Sequence, residues 1–338
     1  MDPERAHPVR PLKLRTKIEQ WPLKAPFRIT GYTWEQVDVL LVTLERNGRV
    51  GRGEAAGVYY KNDKPASMLR QLESLRPRIE AGLSREELLQ GILPAGGARN
   101  ALDCALWDLE AKTSSRPAWQ IAGLDKPHPL LTTFTCSADE PEKMAATASA
   151  YKNARAIKLK LTGEPEDAER VRAVREARAD VWLGVDGNQG FIRASLEALL
   201  PVLIEARVAL IEQPFPIGKE ALLDGLFSPI PIAADESVQS LADIPGLVGR
   251  FSVVNIKLDK CGGLTEGLAM ARAARELGLD TMVGNMIGTS LAMAPAYLLG
   301  QHCQVVDLDG PIFLKTDREN PVRYSDGLIE CPKALWGS

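Results

Sequence analysis

The sequence predicts an α/β protein in which a smaller accessory domain precedes a closed barrel of parallel β/α units. From Leu131 onward, short apolar runs of β character alternate with stretches of helical character. The runs show little internal alternation of polar residues, which is typical of a parallel sheet buried on both faces. A chain of 338 residues is long enough for such a barrel and one accessory domain. An open, doubly wound sheet is the alternative. The expected strands are 131–136, 156–160, 181–186, 208–212, 231–235, 252–257, 281–284 and 304–308.

The first third of the chain has a different pattern. An alternating run from Asp38 to Glu45 is followed by Asn47-Gly48, which is a strong signal for a β-hairpin. Apolar residues at helical spacing then predict helices over 65–81 and 99–112. The expected units are an N-terminal domain (1–128), a barrel (129–314) and a C-terminal segment that returns to the first domain (315–338).

The segment from Gly51 to Ala56 matches the glycine spacing of a dinucleotide-binding loop. Such a loop opens a helix within a strand-helix-strand unit, whereas this segment leaves a hairpin. We therefore interpret it as a tight backbone bend and not as a nucleotide site.

Composition narrows the class of protein. The net charge is −3 with both signs interspersed, which favours neither a nucleic-acid partner nor a membrane surface. Five dispersed cysteines without a Cys-x-x-Cys pair indicate free thiols, so we expect a cytoplasmic protein. Residues 1–11 lack the apolar stretch of a secretory signal. The uncharged segment 281–300 is long enough to span a membrane, but its polar residues and proline favour a buried strand, loop and helix.

Charged residues end five of the expected strands, at intervals of 22 to 26 residues. Each interval is the length of one strand, loop, helix and loop, and the carboxyl ends of barrel strands converge on one mouth. We therefore expect three carboxylates and three lysines to meet in one pocket. These residues are Lys158, Lys160, Asp186, Glu212, Asp235 and Lys257.

The three carboxylates are hard oxygen ligands of the kind that Mg²⁺ prefers. No histidine or cysteine lies at the same strand ends, which disfavours zinc and copper. A single acid at a strand end is usually a helix cap or a surface group. Because Asp186, Glu212 and Asp235 occupy equivalent positions in consecutive units, they predict a magnesium site.

Lysines directed into a barrel mouth are costly unless they have a partner or a chemical role. Lys158 and Lys160 share one face of their strand, and Lys257 lies four strands later, across the barrel. The lysines either form a structural ion network with the acids or act as bases. Nearby positive charge lowers the pKa of a lysine, so a neutral amine can act as a base. Of two amines on opposite faces of a carbon, one can remove its proton and the other can return a proton from the other side. This second interpretation predicts a racemase or an epimerase.

Five motifs surround these residues. They are Lys158-Leu159-Lys160, Asp186-Gly187-Asn188-Gln189-Gly190, Ile211-Glu212-Gln213-Pro214, Ala234-Asp235-Glu236-Ser237 and Asn255-Ile256-Lys257-Leu258, the last followed by Gly262-Gly263. Together they resemble the muconate-lactonizing-enzyme subgroup of the enolase superfamily, from about residue 11 to the end. The resemblance implies a modified TIM barrel, (β/α)7β, with an N-terminal α+β capping domain completed by the C-terminal segment. That fold has one helix fewer than the eight full units indicated by the pattern.

The resemblance also implies roles for individual residues. The three carboxylates would bind Mg²⁺. Lys160 and Lys257 would form the acid/base pair, and Lys158 would support them electrostatically. Lys260 lies beyond the strand end and is not expected in the site.

The subgroup contains cycloisomerases, o-succinylbenzoate synthases, N-succinylamino acid racemases and dipeptide epimerases. Asp307 and Asp309 end the last expected strand on one face. Two anions there would attract the α-ammonium of a dipeptide and repel a dianionic substrate. This feature resembles the dipeptide epimerases, including Ala-Glu epimerases. The alternatives are the other activities, two acids that cap a strand, and a barrel that binds a metal and an anion without turnover.

Selectivity for the second residue of a dipeptide is expected to come from the capping domain. Tyr32, Trp34, Tyr59 and Tyr60 are expected to form an aromatic lid, with Lys61 and Asp63 adding one charge of each sign. Arg28 directly follows Pro26-Phe27, whereas enzymes for acidic dipeptides tend to carry an arginine several residues later. Acidic, neutral and hydrophobic second residues therefore stay open, as does the effect of Gly288 where relatives commonly carry Glu. The expected substrate-binding residues are Asp307, Asp309, Arg28, Tyr32, Tyr59, Thr135, Asn188, Met286 and Ile287. The expected ligands are Mg²⁺ and a small-molecule dipeptide, and we expect a homo-oligomer.

Overall fold

The computed structural model describes residues 11–29 and 31–338. Residues 1–10, on which the expectation about a secretory signal rests, lie outside this part of the chain. The strands are β1 (Lys13–Ile29), β2 (Tyr32–Arg46), β3 (Arg49–Ala55), β4 (Leu130–Leu131), β5 (Thr133–Cys136), β6 (Ala156–Lys160), β7 (Trp182–Asp186), β8 (Leu210–Glu212), β9 (Ile232–Ala234), β10 (Val253–Lys257), β11 (Asp280–Gly284), β12 (Val305–Val306), β13 (Arg323–Ser325) and β14 (Leu328–Glu330).

Helices connect and cover these strands. The α-helices are α1 (Pro65–Gly82), α2 (Arg85–Glu87), α3 (Gly97–Ser114), α4 (Ala118–Ile121), α5 (Pro141–Ala150), α6 (Asp167–Ala177), α7 (Arg193–Glu205), α8 (Leu258–Cys261), α9 (Leu264–Glu276) and α10 (Ser290–Gly300). Shorter 3₁₀ or π turns occupy Tyr59–Lys61, Leu88–Ile92, Glu220–Leu223, Leu241–Leu247 and Gly310–Phe313.

The N-terminal part forms an antiparallel sheet, β1-β2-β3, covered by α1 and α3. Asn47 and Gly48 both have positive φ angles and make the turn between β2 and β3, so the predicted hairpin is confirmed. The expected bend at Gly51–Ala56 is wrong, because both glycines of the motif lie inside β3. A Cβ at Gly51 or Gly53 would come within 2.2 Å of a backbone carbonyl oxygen of α3. The glycines therefore allow the helix to pack closely on the strand.

The barrel is a sheet of eight parallel strands in the order β12-β11-β10-β9-β8-β7-β6-β5, which confirms the predicted fold class. Each expected strand overlaps an observed strand, and the bounds differ only by residues at the ends. The largest difference in length is at the last strand, where β12 covers only Val305–Val306 of the expected 304–308. The eight full β/α units indicated by the pattern are wrong. Only 3₁₀ turns follow β8 and β9, and only the turn Gly310–Phe313 follows β12.

Side chains bridge the seam between the first and last barrel strands. Leu308 N donates to Thr132 Oγ1 at 3.0 Å, and Thr133 Oγ1 donates to an oxygen of Asp307 at 2.5 Å. Thr135 N donates to Asp309 Oδ2 at 2.7 Å. The two acids predicted to meet the substrate therefore also hold the barrel closed.

The C-terminal segment contacts both parts of the molecule. β13 and β14 form a small antiparallel sheet with β4, next to the barrel. Beyond them, Trp336 Nε1 donates to the carbonyl oxygens of Arg52 and Cys104 at 3.0 and 3.1 Å. Gly337 N donates to Asp108 Oδ1 at 2.7 Å. The chain thus ends against β3 and α3.

The uncharged segment 281–300 divides between β11, a loop and α10, as the sequence predicts. Almost all of its residues are buried in the barrel layer. Among the helices within residues 11–29 and 31–338, none combines the length and apolar character needed to cross a lipid bilayer.

Candidate active site and metal centre

Three carboxylates meet at the carboxyl ends of the central barrel strands. Asp186 and Glu212 are the last residues of β7 and β8 and stand opposite each other in the sheet register, and Asp235 directly follows β9. All three are buried, and each offers an oxygen within 4.8 Å of the others. This spacing allows a single cation to bind all three groups.

Two lysines flank this group of carboxylates, one from each side of the sheet order. Lys160 ends β6, next to β7, and its Nζ lies 2.6 Å from Asp186 Oδ2. Lys257 ends β10, next to β9, and its Nζ lies 2.7 Å from Asp235 Oδ2. The two amines are thus separated by the three carboxylate-bearing strands.

Lys158 lies one inward-facing position deeper in the barrel than Lys160. Its Nζ lies 2.5 Å from Asp307 Oδ2 and 3.1 Å from Glu212 Oε2. The other oxygen of Glu212 accepts a hydrogen bond from Asn255 Nδ2 at 2.7 Å. Lys158 therefore joins the metal-side acids to the seam of the barrel.

The protein groups strongly perturb one another's proton affinities. Burial and the charge of Asp186 raise the pKa of Glu212 to about 7, against the opposing effect of Lys158. Burial alone would lower the pKa of Lys257, but the surrounding carboxylates, first Asp235, raise it well above its usual value. The protein groups alone therefore do not lower the pKa of Lys257, and the expected lowering would depend on the charge of a bound metal ion.

Sequence reasoning missed Lys260, which lies in the same cluster. Its Nζ lies 2.6 Å from Asp235 Oδ1 and also donates to the carbonyl oxygen of Asn255 at 3.0 Å. Lys260 belongs to the short helix α8, which begins directly after β10 and turns the side chain back under Asp235. The strand-end rule excludes such a residue, although its spacing of three from Lys257 is the spacing of one helical turn.

Sequence reasoning also assigned no role to Glu236, although this residue lies within the motif Ala234-Asp235-Glu236-Ser237. It is 1% exposed, and its Oε1 accepts a long hydrogen bond of 3.3 Å from Asn188 Nδ2. Burial and the charges of Asp235 and Asp186 raise the pKa of Glu236 to about 8.

The two acids of the last strand have different surroundings. Asp307 is paired with Lys158 and Thr133, so its charge is already balanced. Asp309 accepts the backbone hydrogen bond of Thr135, and burial followed by the charge of Asp307 raises its pKa to about 6. The sequence placed both carboxylates at one mouth, and the structure leaves Asp309 as the acid without a lysine partner.

Four aromatic residues of the N-terminal part form a contiguous cluster, here called the aromatic lid. The ring centroids of Tyr59 lie 4.6 Å from Tyr32, 5.1 Å from Trp34 and 5.1 Å from Tyr60. Gln239 Nε2 donates to Tyr60 Oη at 2.9 Å and to the carbonyl oxygen of Glu236 at 2.7 Å, so the cluster lies beside the carboxylates. The structure thus brings the four predicted rings together at the mouth.

The remaining predicted substrate contacts lie around this lid. Arg28 is half exposed, with a nitrogen 3.7 Å from Asp139 Oδ2. Met286 is buried, and Ile287 packs on an apolar cluster that contains Phe27. Asp63 accepts a hydrogen bond from Gly97 N at 2.8 Å, so its carboxylate binds the start of α3 within the N-terminal part.

Gly288 lies next to a carboxylate that comes from another part of the chain. A Cβ at Gly288 would lie 3.2 Å from Glu54 Oε1. Glu54 is fully buried and accepts hydrogen bonds from Thr289 N and Oγ1 at 2.8 and 2.5 Å. Arg318 in the C-terminal segment pairs with Glu54 at 2.6 Å. The loop that carries Met286 and Ile287 is therefore fixed by the N-terminal part.

The residues present fit a divalent metal ion. The mouth contains six buried carboxylates and four buried lysines, so two negative charges are in excess when all groups are ionised. Buried acceptor oxygens on Asn188 and Glu236 have no hydrogen-bond partner among the described residues. Hard oxygen donors with excess negative charge suit Mg²⁺. The ten charged groups are Asp186, Glu212, Asp235, Glu236, Asp307, Asp309, Lys158, Lys160, Lys257 and Lys260.

Two family models match this chain. The one described as the mandelate racemase / muconate lactonizing enzyme N-terminal domain matches residues 12–123, and the one described as enolase C-terminal domain-like matches residues 142–335. Among related proteins, the L-Ala-D/L-Glu epimerase of Escherichia coli K12 is 40% identical over 311 residues, 91% of this chain and 96% of that protein. The N-acetyl-D-glutamate racemase of a Pseudoalteromonas species is 43% identical over 247 residues, 72% of this chain and 78% of that protein.

Solved structures show the same architecture. An enolase family member from Agrobacterium tumefaciens with homology to dipeptide epimerases, containing bound sodium and L-Ala-L-Glu, superposes with a TM-score of 0.93 at 40% identity, over 97% of this chain and all of that one. A dipeptide epimerase from Methylococcus capsulatus, complexed with Mg and L-Arg-D-Lys, has a TM-score of 0.89 at 30% identity, over 97% and 98%. With both halves matched by family models and with full-length relatives, the chain belongs to the mandelate racemase/muconate lactonizing enzyme group of the enolase superfamily.

Proposed function

We propose that the protein is a Mg²⁺-dependent dipeptide epimerase that inverts the α-carbon of the C-terminal residue by 1,1-proton transfer. The observation that carries this proposal is the order Lys160–Asp186, Glu212, Asp235–Lys257 across five neighbouring strands. A substrate carboxylate held at the centre of this row would have one amine on each side of its α-carbon. This arrangement is what proton removal from one face and return to the other require.

Asp186, Glu212 and Asp235 would hold the metal ion. When bound, Mg²⁺ supplies positive charge that offsets the negative charge of the enediolate as the α-proton leaves. The acids that raise the pKa of Lys257 are the ones that would share their charge with the cation. Lys257 would then lose its proton more readily and could act as a base.

The other residues would bind and orient the substrate. Asp309, the acid without a lysine partner, would accept the α-ammonium group of the dipeptide. Lys158 would stay charged and hold Asp307 and Glu212 in place. The aromatic lid and the loop with Met286 and Ile287 would exclude water and contact the second side chain.

L-Ala-L-Glu is the first substrate to test, since the L-Ala-D/L-Glu epimerase of Escherichia coli matches 91% of this chain. Arg28 at the rim is the cationic side chain that would accept the second carboxylate. Racemisation of an N-acyl amino acid is the second candidate. It is favoured by the pairing of Asp307 with Lys158, which leaves Asp309 as the one acid of the last strand that could pair with an ammonium group, and by the Pseudoalteromonas relative.

The test is incubation with Mg²⁺ in D₂O, with L-Ala-L-Glu and N-acetyl-L-glutamate in parallel. An epimerase incorporates one deuteron at the glutamate α-carbon and accumulates L-Ala-D-Glu without loss of mass. Deuterium exchange in N-acetylglutamate but not in L-Ala-L-Glu would favour the racemase over the epimerase. Loss of water from a substrate would instead indicate a dehydratase, and exchange of no substrate in a wider dipeptide and N-acyl amino acid library would reject both.

We also propose that the protein works in the cytoplasm as a homo-oligomer. Its five cysteines are free, as in a reducing compartment, and the exposed apolar side chains of Phe227 and Ile192 offer surface for self-association. Light scattering after size-exclusion chromatography tests the second point, and a monomer at all concentrations would reject it.

A further inference from the structure

Several buried hydrogen-bond acceptors beside the carboxylates have no partner among the described residues, and two of them belong to Glu236 and Asn188. Glu236 is 1% exposed and Asn188 is 9% exposed. Glu236 Oε2 and Asn188 Oδ1 have no hydrogen-bond partner among the described residues. Buried acceptors are nearly always paired in folded proteins, and an unpaired carboxylate oxygen is especially unfavourable. Both atoms therefore require a donor that the polypeptide does not provide.

The position of these residues indicates where that donor lies. Asn188 N donates to Asp186 Oδ1 at 2.9 Å, and Glu236 directly follows Asp235. Both residues thus lie next to the outer members of the carboxylate group. The two nearby amines, Lys257 and Lys260, are each committed to Asp235. No lysine or arginine within the described residues forms an ion pair with Glu236 at 4.0 Å or less.

Glu236 is also not part of the carboxylate group whose oxygens come close enough together to bind one ion. The oxygens of Asp186, Glu212 and Asp235 lie within 4.8 Å of one another, and Glu236 does not belong to that set. A group just outside the first coordination sphere can still contact water that a Mg²⁺ ion retains, and such water is a strong hydrogen-bond donor.

We propose that Glu236 and Asn188 form an outer-sphere acceptor pair that orients water on the metal ion held by Asp186, Glu212 and Asp235. This inference rests on the metal site of the proposed function and adds two positioning residues to it. The pair would accept hydrogen bonds from the O–H groups of bound water through Glu236 Oε2 and Asn188 Oδ1. It would thereby contribute to metal affinity without touching the ion.

The experiment measures metal binding in the absence of substrate. Mg²⁺ affinity is determined by titration calorimetry for the wild type, Glu236→Gln, Glu236→Ala and Asn188→Ala. Each variant should bind Mg²⁺ about tenfold or more weakly, since loss of outer-sphere partners typically costs that much. Asp259→Asn is the matched control, because Asp259 is a buried carboxylate that bonds the backbone of Gly57 instead of a metal-side group. Its Mg²⁺ affinity should stay within about twofold of the wild type.

A second readout separates an outer-sphere role from direct coordination. With Mn²⁺ as the probe, line broadening by H₂¹⁷O in electron paramagnetic resonance counts the waters bound to the ion. The count should be the same in the wild type and Glu236→Ala. One additional water in the variant would show that Glu236 is a direct ligand and would overturn the inference.

The metal-free proteins provide the control for folding. Without metal, Glu236→Gln should melt at or above the temperature of the wild type, because a buried carboxyl group without an ion-pair partner is replaced by a neutral amide of similar shape. Unchanged Mg²⁺ affinity in the folded variants would overturn the inference while leaving the proposed function intact. Failure of the wild type to bind Mg²⁺ would reject the proposed metal site itself.

Discussion

The carboxylate–lysine cluster at the barrel mouth and the aromatic lid above it are built in different ways. The cluster consists of buried charges on the ends of consecutive strands, fixed by sheet register and by pairing at 2.5–3.1 Å. The lid consists of rings from two separate segments of the N-terminal part, and Tyr32 is still 43% exposed. In the proposed function, the rigid strand ends would carry the reaction, while a less buried surface would select the substrate.

The largest expected effect is loss of either flanking lysine. Lys160→Ala and Lys257→Ala should each lower epimerisation by about 10²–10⁴-fold, because each removes the acid/base group on one face. Each variant should still exchange the α-proton of the one epimer that faces the remaining lysine, and the two variants should prefer opposite epimers. Deuterium uptake by each pure epimer in D₂O measures this.

The exposed lysine variant Lys143→Ala is the control for the loss of a lysine and should keep full activity. If both active-site variants exchanged the same epimer, the two amines would not lie on opposite faces.

Stability should distinguish the cluster from the lid. Asp307→Asn should lower the free energy of unfolding by about 3–5 kcal/mol, because it leaves the charge of buried Lys158 less compensated and weakens the barrel seam. Urea unfolding measures the change, with the exposed Asp326→Asn as control. A loss below about 1 kcal/mol, the range of an exposed ion pair, would contradict the structural role given to Asp307.

Lid substitutions should change substrate selection more than turnover. Trp34→Ala and Tyr59→Ala should raise KM about tenfold with a smaller change in kcat, since contacts remote from the reacting carbon bind substrate and transition state alike. Steady-state kinetics on dipeptides with acidic and hydrophobic second residues measures the effect. Phe227→Ala, an exposed aromatic residue that precedes β9, is the control. If a lid variant lowered kcat as much as a lysine variant does, the separation between a catalytic cluster and a substrate-selecting lid would be contradicted.

The smallest expected effect concerns Asp259, which links the two regions. Its Oδ1 accepts a hydrogen bond from Gly57 N at 2.8 Å, just before Tyr59, and burial raises its pKa to about 7. Because the folded protein holds this proton more tightly than the unfolded chain, stability attributable to Asp259 is lost as the pH rises from about 4 to about 7. Asn cannot ionise, so the melting temperature of the wild type should rise relative to that of Asp259→Asn between pH 8 and pH 5. A constant difference would contradict the raised pKa.

Sequence reasoning predicted most of the cluster for a physical reason. A parallel barrel converts a repeat along the chain into a ring in space, so residues that end successive strands must meet. Asp186, Glu212 and Asp235 could therefore be grouped from their spacing. The short helix α8 breaks this rule by returning Lys260 to the mouth, and a spacing of three from Lys257 is too weak a signal to predict this return.

Contacts between distant segments were harder to predict from the sequence. The pairing of Asp307 with Lys158 joins positions 149 residues apart. The alternation of side chains along the last strand cannot show that Asp307 is already paired with a lysine of another strand. Likewise, Gly51 and Gly53 were interpreted as a bend because their partner is the backbone of α3, about 50 residues later. These features depend on tertiary packing and not on local pattern.

A structure with Mn²⁺ and a slowly processed dipeptide would show directly how the metal ion and the two lysines are arranged around the substrate. We expect an ion bound to Asp186, Glu212 and Asp235, with Lys160 and Lys257 on opposite faces of the dipeptide α-carbon. An ion at another place, or both amines on the same face of that carbon, would contradict it.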